Sequence, residues 1–207
     1  MYEHELELLR RTRAGTLRLC SGISQAQSEF APGPGKWSVG EVLDHLLLAE
    51  KFYRQVFAQL IDLQKSGARP VISSGFSQVN TSVAGIPKSF LPMLEVPFTI
   101  FNMFVPSAVR EAMTQFRIMP AQNPDMATPE KGKLLEDLKS ALSSSFEETA
   151  LVFHSSPLLN YRRMRYRHPL MGDNNALQLL RIVALHERRH QSQIEDILRS
   201  RQFPKVA

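Results

Sequence analysis

Two histidines, His186 and His190, interrupt a stripe that is otherwise apolar, sharing their helical period with Leu179, Ile182, Val183, Ile194 and Ile197. Side chains at i and i+4 project from one helix face, so two imidazoles at this spacing can reach a single metal ion. A third, His45, lies on a line with Ala49, Phe52 and Val56, again on an apolar face. One inward histidine is ordinarily a satisfied core residue, and H-x-x-x-H pairs recur on helices by chance. Three on core lines of the two best-defined helices favour a shared site. Buried together without a common partner, they would be costly to desolvate or would stay neutral with depressed pKa values. A divalent cation that accepts a lone pair from each removes that difficulty.

Three neutral ligands leave at least one coordination position open, as catalytic rather than structural zinc sites do. Imidazole suits nickel, iron and cobalt as well, so ligand type alone does not choose the metal. The string His186-Glu187-Arg188-Arg189-His190 also matches the H-E-x-x-H metalloprotease pattern. Such proteases take a third ligand downstream, however, and little chain follows His190. Glu187 therefore reads as a solvated surface residue. Glu41 and Gln193, each about one turn from a histidine, are candidate outer-shell partners, although a capping box already accounts for Glu41. No catalytic residue is assigned.

Arg162, Arg163, Arg165 and Arg167 crowd the connector between Tyr161 and His168. Arg163, Arg165 and Arg167 are candidates for an anionic ligand; the plainer reading is a solvated basic loop. Tyr161 and Tyr166 alone make a poor base-stacking platform, so nucleic acid is not an expected partner. His4, His154 and His168 have no comparable companions. Cys20 reads as core filler, and a lone cysteine excludes an internal disulfide or a multi-thiolate metal site.

These residues need helices to position them, and four segments carry helical periodicity. The first spans about 2–27. The second opens at a capping box, Ser38 with Glu41, with Trp37 and Val42 at the staple positions, and ends near Gly67. The third is expected to start with Thr128 as cap and Pro129 at the first helical position. Asp173 is expected to cap the fourth, which runs to about 201. Residues 68–127 break the pattern and read as a long crossover with short helices around 88–104 and 106–116. The fold class is therefore all-α: one domain over 1–207, a four-helix bundle with a long connection between helices two and three.

The chain's 207 residues, 43% apolar and 22% charged, allow a sizeable core and exclude wholesale disorder. A net charge of +5 permits an anionic ligand without demanding one. The apolar run Phe90 to Val105 contains Pro92, Glu95 and Pro97 and is too short and broken to span a bilayer. The amino terminus has no apolar h-region. A soluble, cytoplasmic protein is expected, with no membrane partner.

Trp37-Ser38-x-x-Glu41-x-x-Asp44-His45-Leu46, the His168-Pro169-x-x-Gly172 lead-in and His186-x-x-x-His190-x-x-Gln193-Ile194 together resemble the DinB-like superfamily. The resemblance covers the four helices, and the 68–127 insertion departs from its shortest members. It implies an up-down-down-up bundle, often a homodimer, with Zn²⁺ or Ni²⁺ on His45, His186 and His190. Relatives include transferases that join low-molecular-weight thiols to electrophiles, mycothiol-dependent isomerases, and proteins described as metal-dependent hydrolases. A small-molecule substrate is implied. A metal binder without turnover and a purely structural dimerisation bundle are the competing classes.

Overall fold

The computed structural model describes residues 2–74, 109, 112, 127–168 and 172–205. Among them are five helices, α1 Glu3–Leu19, α2 Gln25–Ser28, α3 Val39–Lys65, α4 Leu135–His154 and α5 Ala176–Leu198. Three short strands, β1 Val71–Ser73, β2 Arg165–His168 and β3 Gly172–Asn175, complete the described elements. The fold is mostly helical but not all-α. The expected short helices over 88–104 and 106–116 lie outside the described residues, apart from Val109 and Ala112, which are helical. Pro169, Leu170 and Met171 of the lead-in also lie outside them.

The strands arise where the basic connector was expected to be a loop. From Met164 to Arg167 burial alternates, with Met164 and Tyr166 inside and Arg165 and Arg167 outward, which is the period of a strand. β2 pairs parallel with β1, Ile72 opposite Tyr166, and antiparallel with β3, Arg167 opposite Asp173. Asp173 is consequently a strand residue and not the helix cap. Its carboxylate accepts from Arg165 at 2.9 Å. The cap is Asn175, two residues later, which forms a reciprocal capping box with Gln178.

Two other helix starts differ from expectation. The first helix stops at Leu19, and a second capping box, Ser24 with Gln27, opens the separate turn α2. The apolar stripe hides this break because Cys20 and Ile23 still pack in the same core. α4 starts at Leu135 rather than at Pro129. Gly132 has φ of +77°, a left-handed conformation that no right-handed helix passes through. The start is capped from another element: Gln25 of α2 accepts from Leu135 N–H at 2.8 Å. α3, by contrast, begins where expected, with Ser38 and Glu41 bonded reciprocally.

The apolar core has two parts. Leu9, Phe57, Leu60, Phe153, Leu179 and Leu180 centre one, and Cys20, Val42, Leu43, Leu142 and Ile194 centre the other. α1 and α5 run from the first cluster to the second, whereas α3 and α4 run from the second to the first. Between them, with a member on each of the four long helices, lies a set of buried polar residues that includes Arg13, Glu50, Thr149, Glu187 and His190. None of the described helices is long and apolar enough to cross a membrane.

Candidate metal centre

α3 and α5 pack against each other and bring His45 to the pair His186 and His190. His45 enters from two turns inside the N-terminus of α3, a register set by the Ser38 cap. The helical spacing on α5 does the rest. His45 Nε2 lies 3.3 Å from His186 Nε2, and His190 Nε2 lies 3.2 Å from the same atom. One ligand atom from each of the three residues falls within 4.8 Å of the others.

The outer ring nitrogens decide which way the lone pairs face. His45 Nδ1 is 2.7 Å from the carbonyl oxygen of Ala127, which can only accept, so Nδ1 carries the proton. His190 Nδ1 donates in the same way to Gln193 Oε1 at 2.9 Å. The Nε2 atoms of both rings face inward, toward His186 Nε2. Burial pushes the pKa of His186 well below the ordinary histidine value, and the neighbouring imidazoles and Arg189 push it further. Burial lowers His45 as well. Neutral imidazoles are the form a metal requires.

Nitrogens at 2.0–2.1 Å from a tetrahedral zinc are separated by about 3.4 Å, close to the His45–His186 and His186–His190 contacts of 3.3 and 3.2 Å. A proton on His186 Nε2 can serve only one of its two neighbours, whereas a cation held among the three nitrogens would take a lone pair from each. Trp37, the single tryptophan, closes one side. Its ring centroid is 4.9 Å from that of His45 and 6.3 Å from that of His190, nearly parallel to the latter. From the sequence, Trp37 is half of a hydrophobic staple and the first residue of the motif that carries the family resemblance, with no contact to the histidines expected of it.

Of the two outer-shell candidates, Gln193 is in place and Glu41 is not. The Glu41 carboxylate accepts from Ser38 N–H at 2.9 Å, and the Ala127 carbonyl occupies the position beside His45. A backbone acceptor has no side-chain signature, so the sequence could not announce it. Glu187 departs furthest from expectation. It is 2% exposed and takes Arg13 Nε at 2.9 Å and Thr16 Oγ1 at 2.7 Å. Arg13 also donates to Glu50 Oε2 at 2.6 Å and reaches the Leu142 carbonyl, and Thr149 donates to Glu50 Oε1 at 2.7 Å.

The arginine candidates lie elsewhere. Arg165 and Arg167 stand on β2 and share Asp173, at 2.9 and 3.6 Å, and Arg163 is exposed in the turn before it. His168 is on β2, and burial pushes its pKa down to about 4. Cys20 is fully buried, and desolvation pushes its thiol up to about 11, consistent with a packing role.

Comparison with known proteins yields one family. The family model described as the DinB superfamily matches residues 8–194, a span that includes all three histidines. No curated protein and no solved structure matches the chain. With most of its length matched, the chain belongs to the DinB superfamily.

Proposed function

From this membership we propose a metal-dependent enzyme of the DinB superfamily that acts on a small molecule, with Zn²⁺ or Ni²⁺ on His45, His186 and His190. The convergence of the three Nε2 atoms carries the reading. When bound, the cation supplies Lewis acidity at an open position, where a thiol or water would ionise near neutral pH. S-transfer from a low-molecular-weight thiol is the reaction we favour, with hydrolysis second. The chain's own residues hold the ligands and shape the site. Ala127 and Gln193 fix two ring tautomers, and Trp37 offers an apolar wall against which a substrate can desolvate. Glu187, engaged by Arg13 and Thr16, is not placed to act as the general base that a peptidase of the H-E-x-x-H type needs. We further propose that the four long helices form an up-down-down-up bundle, supported by their order between the two apolar clusters, and that two copies associate.

The test is turnover by the metal-loaded protein with a panel of low-molecular-weight thiols and an activated aryl halide, beside ester and amide hydrolysis. Thiol consumption that disappears in His186→Ala supports the favoured reaction. Ester or amide cleavage without thiol consumption points to the hydrolase. Bound metal with neither activity would leave a metal-binding protein without turnover.

A further inference from the structure

His45 Nδ1 meets the carbonyl of Ala127, a 3-10 residue that leads into residues 128–134, which form neither helix nor strand. The direction of that C=O therefore depends in part on what fastens this loop. The fastening is Asp44, the residue before His45. Its Oδ2 accepts from Glu130 N–H at 2.8 Å, and its Oδ1 accepts from Lys133 Nζ at 2.8 Å. Asp44 is 2% exposed, and a carboxylate so buried is tolerated only when paired and hydrogen-bonded. Lys133 is 38% exposed and would be well solvated without it. The burial therefore serves the loop rather than the lysine. Gln25 grips the far end, through the Lys133 carbonyl and Leu135 N–H.

We propose that Asp44 is a positioning residue of the metal centre, acting on His45 through the backbone of residues 127–133. Two successive residues of α3 thus hold one loop. Asp44 sets its place, and its Ala127 carbonyl sets the tautomer and ring direction of His45, the kind of outer-shell support that tunes metal affinity. The proposal rests on the three-histidine metal reading.

Co²⁺, whose visible absorption reports ligand number and geometry, is the probe. It is titrated into the wild type, Asp44→Ala, Asp44→Asn and Lys133→Met, with circular dichroism as the check on folding. Asp44→Ala is expected to bind about 10–100-fold more weakly with an altered spectrum. Asp44→Asn, which keeps an oxygen for Glu130 N–H, is expected to recover part of the loss, and Lys133→Met to show a smaller loss of the same kind. A folded Asp44→Ala with wild-type affinity and spectrum would overturn the proposal. So would weaker binding with an unchanged spectrum, the mark of general destabilisation. Should Asp44→Ala not fold, the other two variants decide, since wild-type behaviour in both overturns it. A wild type that takes up no Co²⁺ removes the metal reading itself, and this proposal with it.

Discussion

Two buried polar clusters occupy the middle of this molecule, and they are built in opposite ways. Around Arg13, donors meet acceptors: one guanidinium reaches both Glu50 and Glu187, and two threonine hydroxyls engage the same carboxylates. Around His186, the Nε2 atoms of His45 and His190 face a third imidazole, and their protons are committed outward to Ala127 and Gln193. The first cluster is complete within the chain and joins α1, α3, α4 and α5. The second brings three ring nitrogens together in an arrangement compatible with a divalent cation. Adjacent residues of one helix, His186 and Glu187, thus belong to clusters of different kinds.

The comparison can be broken from either side. The largest effect is expected on the Arg13 side. Arg13→Ala would strand two buried carboxylates and cost about 3–5 kcal/mol, read as a fall in denaturation midpoint. Under conditions where it folds, this variant should keep its metal. A variant that unfolds no more easily than the wild type would show that the cluster is not a structural pin.

On the other side, His186→Ala is expected to lower Zn²⁺ affinity by more than the roughly 10–100-fold typical of outer-shell changes, since it removes the imidazole central to the cluster. Competition against a chromogenic chelator measures this, and wild-type affinity in the variant would refute the assignment. Gln193→Ala, which releases His190 Nδ1, should fall within that 10–100-fold range and leave thermal stability nearly unchanged.

The pH response should separate metal-free from metal-loaded protein. His45 and His186 are held below the ordinary histidine value of about 6.5, so the unfolded chain binds more protons than the folded one in the window beneath it. Stability of the metal-free protein is therefore expected to fall as pH drops through about 6.5, and saturating Zn²⁺ to raise it most on the neutral side. Denaturant midpoints at several pH values, with and without Zn²⁺, check this. A flat metal-free profile would contradict the burial of neutral imidazoles. The smallest expected effect is that of Ser38→Ala, about 1 kcal/mol, because it removes the cap that sets the register of α3 and leaves both clusters otherwise intact.

How far the sequence reveals this depends on how local each signal is. The histidines are legible because their types break an apolar period, and Gln193 because it lies one turn from His190. The Ser38 cap is legible because its partner is three residues away. Glu187 is not, since what buries it is Arg13, 174 residues distant, on a helix whose own stripe gives no hint of a charged interior. Ala127 is invisible for another reason, as a backbone carbonyl carries no residue-type signal. The strands escape notice because four residues of alternation at Met164 to Arg167 resemble a basic loop, and the displaced start of α4 because Thr128-Pro129 mimics a cap that Gly132 overrides.

The most direct test is elemental analysis of the untagged wild type beside His45→Ala and His186→Ala. Stoichiometric zinc or nickel in the wild type, lost in both variants while their helical signal persists, is the predicted result. A folded wild type that carries no metal and takes up neither Zn²⁺ nor Ni²⁺ would contradict the account.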